Sequence, residues 1–165
     1  MKGLMIVFLL FPFLTFAQKQ EYKGLQNFPA NRFGKVIYQG FIETPGVNKM
    51  EFLNRARTWA ANAAGEGNEE TETGIFMAKD TTEVNKKKYS FFITLTYQQE
   101  KIQYKLTDIN YLLYDNKFAP PILVPIEDEA TSITIGKKFR DRRFQKLNEA
   151  FRTYLKELEA AIAKN

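Results

Sequence analysis

The sequence contains neither cysteine nor histidine. Without cysteine the chain can form no disulfide and offers no thiolate as a nucleophile or metal ligand. Without histidine it has no imidazole ligand and no imidazole base, so a Ser-His-Asp arrangement is excluded. Zinc, copper and haem sites of the usual kinds are excluded for the same reason. Carboxylates, lysine, tyrosine and hydroxyl groups are the chemistry that remains, and no cofactor is expected.

Long apolar runs are also scarce, and the clear example stands at the N-terminus. Lys2 precedes a nearly unbroken apolar stretch over 4–16, and Thr15 and Ala17 supply the small residues of a cleavage site. These features are typical of a secretory signal peptide, whereas a membrane-spanning helix needs about 20 apolar residues. We predict cleavage after residue 17 and an exported protein that is not an integral membrane protein. Since no cysteine follows to carry a lipid, we expect a periplasmic location first and an extracellular one second.

The 165-residue chain has a net charge of +5, and the part that follows residue 17 has the size of one ordinary domain. Residues 18–34 are polar without a clear period and are interpreted as a linker. Residues 35–114 are predicted to form an α+β core. A proline-containing loop follows over 115–135, with a candidate edge strand at its end. An apolar stripe at three- and four-residue spacing predicts an amphipathic helix over 136–165 that packs on the core.

Four segments rich in β-branched and aromatic residues predict strands: 35–43, 74–79, 88–98 and 101–114. A helix should lie between the first two, because Asn48 and Glu51 form a capping box before an apolar stripe. The alternation of the last strand slips near Asp108, which predicts a β-bulge. The fold class is therefore α+β. We expect an antiparallel sheet of about four strands, in the order β-α-β-β-β-α, with helices packed on one face.

The stretch 38–59 resembles the domain-of-unknown-function 4468 family, whose pattern is a strand, a Pro-Gly turn and a helix with a tryptophan near its end. The matching positions are Pro45, Gly46, Leu53, Ala56 and Trp59. The resemblance implies a TBP-like (TATA-binding-protein-like) fold and export in bacteria with two membranes. The family has no established activity, so no catalytic residue is transferred, and the fold name does not imply DNA binding.

The most uneven charge lies at the start of the C-terminal helix. Residues 137–146 contain one carboxylate, Asp141, and six cations: Lys137, Lys138, Arg140, Arg142, Arg143 and Lys146. This run predicts either a patch for an anionic partner or the solvated start of an amphipathic helix. The partners considered are an envelope protein, a lipid headgroup or a glycan. Nucleic acid is not expected, because an exported protein rarely meets it.

A sheet with helices on one side leaves its other face open. Phe41, Phe76 and Phe92 are predicted to lie on that open face, which makes it a candidate interaction surface. Other aromatic residues could line a ligand surface, but their spacing in strands and helices is more typical of a core. These are Tyr38, Tyr89, Tyr97, Tyr104, Tyr111 and Trp59.

Carboxylates suggest two further sites, each with a simpler alternative. Four glutamates could bind calcium, but they lack the ligand spacing of a calcium loop, so a solvated loop is the alternative. They are Glu66, Glu69, Glu70 and Glu72. Asp108 with Asp128 or Glu129 could act as an acid–base pair, although no spacing sets them together.

Two functions remain open. One is an exported, non-enzymatic binding or interaction domain for an unknown ligand in the cell envelope. The alternative is a hydrolase-type enzyme that uses carboxylates, tyrosine or lysine. The absence of histidine, cysteine and any catalytic motif favours the first. The sequence leaves the ligand and the oligomeric state open.

Overall fold

The computed structural model describes residues 24–63, 67–115, 119–131 and 136–163. The predicted signal peptide lies outside these ranges. The elements, in chain order, are β1 (Tyr38–Glu43), α1 (Lys49–Ala63), β2 (Gly67–Glu70), β3 (Ile75–Val84), β4 (Lys87–Gln98), β5 (Lys101–Leu113), β6 (Ile122–Pro125), α2 (Ile126–Thr131) and α3 (Lys137–Ala163). The α+β class is confirmed.

The strands form one antiparallel sheet in the order β1-β5-β4-β3-β2, with β6 also paired to β5. The sheet thus has six strands rather than about four. The two additional strands, β2 and β6, have four residues each. Glycine, asparagine and glutamate are poor strand formers, and prolines surround β6, so neither segment carries a strand signal. Of the candidate edge strand at 131–135, only Thr131 is described, and it is the last residue of α2 rather than part of a strand. Residues 132–135 lie outside the described residues.

Tight turns set the register of the three long strands. Asn85 and Lys86, both with positive φ, form the two-residue turn between β3 and β4, so β3 continues through the predicted polar connection at 80–85. The predicted bulge in β5 is confirmed. Pairing changes between Ser90 and Phe92 of β4, and Asp108 opposite them has a φ of 52°. The extra residue in β5 returns Ile109 to the core face.

Both long helices pack on one face of the sheet and against each other. The predicted start of α1 is confirmed, since Asn48 Oδ1 accepts a hydrogen bond of 2.9 Å from the Glu51 amide. The predicted C-terminal helix is confirmed as α3. Its buried stripe follows helical spacing: Phe144, Leu147, Phe151, Leu155, Leu158 and Ile162. The core therefore lies between the helices and one sheet face.

The described part of the segment interpreted as a linker packs against this core. Leu25 and Phe28 are buried in the main apolar cluster. Asn148 of α3 also donates a hydrogen bond of 2.9 Å to the Asn27 carbonyl. Residues 24–34 are thus held by the domain. Two isolated apolar residues in a polar stretch have no period, which is why the pattern gave no sign of this packing.

Asp80 of β3 allows the cost of burying a carboxylate on the core face to be tested through the pH dependence of stability. It lies opposite Phe91 in the ladder, and burial raises the pKa of its carboxyl group. The folded state therefore disfavours the charged form. This cost is absent well below pH 3.8, where both states are protonated, and is complete above the raised folded pKa.

We expect Asp80→Asn to raise the free energy of unfolding at pH 7 by a few tenths to about 1 kcal/mol, since the group is only half buried. The gain should vanish as the pH falls below the carboxyl pKa values. Urea unfolding at several pH values measures this dependence. An equal gain at every pH would show that burial of the charge is not its cause.

Candidate functional site: the open face of the sheet

The face of the sheet opposite α1 and α3, called here the open face, carries three large apolar side chains. Phe41, Met77 and Phe92 are 49%, 47% and 43% exposed, and they stand on β1, β3 and β4 respectively. Strand alternation explains this, because the residues beside each of them point into the core. In the described parts of the chain both long helices pack on the other face, so these side chains remain accessible to a partner.

The ladder places polar side chains between the apolar ones. Phe41 lies opposite Gln103, Met77 opposite Thr94, and Phe92 between Lys79 and Thr107. The open face therefore combines apolar contact area with hydroxyl and amide groups. A surface of this composition can both exclude water and fix a ligand's orientation.

Lysines give the open face a positive component. The ammonium nitrogen of Lys101 lies 4.6 Å from the ring centroid of Phe41, and that of Lys79 lies 5.9 Å from the centroid of Phe92. These are cation–π distances. Lys105 is exposed beside Thr94 in the same ladder. The two exposed phenylalanines thus each present an aromatic ring together with a cation.

Phe41 and Phe92 lie where the sequence predicted, but the placement of Phe76 was wrong. Phe76 is buried opposite Leu95, and the outward position is taken by its neighbour Met77. The register of β3 decides this, because a one-residue difference changes the face. A Cβ atom at Gly67 of β2 would overlap the Phe76 ring, so the missing side chain at Gly67 leaves room for it.

The six-residue basic run is divided by the helix. Arg140 and Arg143 are buried, in phase with the apolar stripe of α3. The exposed cations are Lys137, Lys138, Arg142 and Lys146. The predicted patch is therefore smaller than the sequence suggested. Helical spacing could have shown this, since positions 140, 143, 144 and 147 recur at three and four residues.

Arg143 belongs to a buried polar network that the sequence analysis did not predict. Its guanidinium donates to Glu129 of α2 at 2.5 Å and to the Tyr89 hydroxyl at 3.0 Å. Glu129 also accepts from Lys87 at 3.1 Å and from Tyr89 at 3.0 Å. Burial and the charge of Glu129 raise the pKa of Tyr89. The network fastens α2 and α3 to the sheet.

This network argues against the hypothesis that Glu129 belongs to an acid–base pair. Its two carboxylate oxygens receive hydrogen bonds from three side chains, so it is engaged with donors rather than paired with a second carboxylate. Asp128 is exposed on the other side of α2, and Asp108 lies in the bulge of β5. Among the described residues, no hydrogen bond links Glu129 to Asp108 or to Asp128.

One glutamate of the predicted loop forms an ion pair with α1. Glu69 receives two hydrogen bonds from Arg57 of α1, at 2.7 and 3.1 Å, and this contact lowers the pKa of Glu69. Glu70 accepts from Thr73, and Glu66 lies outside the described residues. Within the part of the chain that the structure describes, no three acidic side chains come together in a way that could hold a metal ion.

The other aromatic residues considered for a ligand surface belong to the core, as their spacing predicted. Tyr38, Tyr89 and Trp59 are buried. Tyr97, Tyr104 and Tyr111 are partly buried and pack against the same cluster. These rings therefore do not form a second exposed ligand surface.

A six-stranded antiparallel sheet with two long helices on one face defines the class of the fold, and solved structures agree with it. One is a TBP-like protein from Parabacteroides distasonis, with a TM-score of 0.58 and 17% identity, covering 82% of this chain and 97% of that one. Another is a DUF4468 family protein from Bacteroides ovatus, with a TM-score of 0.54 and 11% identity, covering 86% and 93%. The TBP-like fold is thereby confirmed.

Two other comparisons gave no match: neither a protein-family model nor a curated protein matches the sequence. The helices seen in the described ranges include none that is long and apolar enough to cross a membrane.

Proposed function

We propose that this protein is an exported, non-enzymatic binding module of the bacterial cell envelope, and that its partner contacts the open face of the sheet. The observation that carries the proposal is the exposure of Phe41, Met77 and Phe92 on three different strands of one uncovered face. Scattered exposed apolar residues need no explanation, but three on one face of a sheet indicate an interaction surface.

The composition of the open face supports binding rather than catalysis. It offers aromatic rings, lysines, threonines and a glutamine, which suit contact and hydrogen bonding, and its carboxylates Glu43 and Glu83 lie opposite Lys101 and Lys88 in the ladder. Of the three carboxylates considered for acid–base work, Glu129 is buried on the opposite side of the sheet and is held by Arg143 and Lys87, whereas Asp108 and Asp128 are exposed. A periplasmic location is proposed first, because the N-terminal pattern predicts cleavage after residue 17.

The proposal is tested by capture from the organism's own envelope fraction. We expect the exported protein to retain a protein, glycan or lipid, and Phe41→Ser/Phe92→Ser to reduce that retention at least tenfold. Losing two half-exposed aromatic contacts at a binding surface costs about 1.4 kcal/mol or more, which is the tenfold change. Both residues are exposed, so thermal unfolding should shift little.

Phe33→Ser is the matched control, because Phe33 is also exposed but precedes the sheet. This variant should capture the same species as the unchanged protein. Retention of that species by the double variant, or its loss in both variants, would contradict a role for the open face. Mass spectrometry of the exported protein tests the predicted N-terminus at Gln18 in the same preparation.

A further inference from the structure

A second group of exposed apolar residues lies on the arm, the segment in which β6 pairs with the last four residues of β5. Leu113, Tyr114, Ile122 and Leu123 are between 39% and 54% exposed there. Leu113 pairs with Ile122, and Leu112 pairs with Leu123. Because successive residues of a strand point to opposite faces, the exposed Ile122 and Leu123 project from opposite sides of the arm.

The N-terminus of α3 lies at the same end of the molecule. Arg143 donates to the hydroxyl of Tyr89, the Tyr89 ring lies 5.8 Å from that of Tyr111, and Tyr111 pairs with Val124 of β6. One turn before Arg143 the helix carries Phe139, whose side chain is highly exposed. We name Leu113, Tyr114, Ile122, Leu123 and Phe139 together the apolar tip.

Cations outnumber carboxylates around the apolar tip. Five are exposed on α3 and at the turn between β3 and β4, which is next to Tyr89: Lys86, Lys88, Lys137, Lys138 and Arg142. Three exposed carboxylates share this end: Glu83, Asp115 and Asp128. The remaining part of the predicted basic patch thus borders an apolar surface, which the sequence alone did not reveal.

We propose that the apolar tip docks on the surface of an anionic lipid bilayer, with the surrounding cations in contact with the headgroups. An arm that exposes apolar side chains on both faces suits a medium that surrounds it, such as the boundary between headgroups and acyl chains. A protein partner would more simply meet one flat face. Tyrosine is enriched at this boundary, and flanking lysines attract anionic lipids. The proposal does not depend on Phe41, Met77 or Phe92.

Vesicle co-sedimentation tests the proposal, using protein purified in the form that export yields. We expect binding to vesicles of equal parts phosphatidylglycerol and phosphatidylcholine, and little binding to phosphatidylcholine alone. Ile122→Ser/Leu123→Ser should weaken binding by about tenfold or more, since it removes two of the four exposed apolar side chains of the arm. Phe41→Ser/Met77→Ser, an equally exposed pair on the open face, should leave it unchanged. Lys137→Ser/Lys138→Ser should weaken binding only to the anionic vesicles.

A second readout covers the case in which the serine variant does not fold. Ile122→Trp should show a blue-shifted emission with anionic vesicles, whereas Phe41→Trp should not, and buried Trp59 contributes the same background to both. Equal binding to both vesicle types, an equal loss in the open-face pair, or an unshifted emission of the Ile122→Trp variant would overturn the proposal. The proposal would also be overturned if the protein did not bind vesicles and its apolar tip bound an acidic protein partner instead.

Discussion

Glu129→Gln is expected to lower the free energy of unfolding by about 3–5 kcal/mol, because removing one partner of a buried ion pair leaves an uncompensated charge. Arg143 is buried and loses the carboxylate that it contacts at 2.5 Å. Lys87 loses its ion-pair partner as well. Since Glu129 lies on α2 and Arg143 on α3, the substitution weakens the attachment of both helices to β4. Urea unfolding at pH 7 measures the effect.

Asp128→Asn is the matched control, since Asp128 precedes Glu129 on the same helix but is exposed. It should change stability by less than about 0.5 kcal/mol. The double variant Glu129→Gln/Arg143→Gln should cost less than the sum of the two single changes, because the buried guanidinium is then gone. If Glu129→Gln cost no more than Asp128→Asn, the network would not fasten α2 and α3 to the sheet.

The second large effect is expected at Phe151, in the middle of the helix–sheet contact. Its ring packs edge-on against Phe91 at 5.1 Å and tilted against Tyr38 at 5.6 Å, and it is fully buried. Phe151→Ala removes this contact between α3 and two strands and leaves a cavity. We expect a loss of about 3–5 kcal/mol in the free energy of unfolding.

Thr153→Ala tests whether the loss comes from packing rather than from the helix itself. Thr153 is exposed on α3, and alanine is a better helix former, so its stability should stay within about 0.7 kcal/mol of the unchanged protein. Thermal unfolding followed by circular dichroism compares the two variants. A cost below 1 kcal/mol for Phe151→Ala would mean that α3 is not the main cover of the sheet.

Much of the fold could be predicted because local chemistry and burial agree. The alternation of β4, the apolar stripe of α3 and the cap at Asn48 each give the same answer from the sequence and in the structure. The bulge at Asp108 was also predictable, since a change in the phase of alternation has few other causes in a strand.

The elements that the pattern missed are short or polar. β2 has no buried residue, and α2 is a six-residue helix that hides two glutamates. Tertiary contacts hold both: Glu69 pairs with Arg57, and Glu129 with Arg143. Charged residues are normally expected at the surface, so a pattern of apolar residues cannot show that a carboxylate and a guanidinium are buried together.

The candidate site was predicted only in part for a similar reason. Phe92 breaks the polar side of a clearly alternating strand, and this break located the open face from the sequence. Met77 and Phe76 are adjacent and both apolar, so only the register of β3 shows which of them is exposed. The apolar tip depends on a pairing between β5 and β6 that the sequence did not predict.

The most direct test of the open face compares the oxidation of two methionines in one protein. Met77 on the open face and Met50 on α1 are 47% and 51% exposed, so their sulfurs should react with peroxide at similar rates in the purified protein. We expect the organism's envelope fraction to slow the oxidation of Met77, measured by mass spectrometry, and to leave Met50 unchanged. If both methionines were slowed alike, or if only Met50 were slowed, the open face would not be the surface that binds a partner.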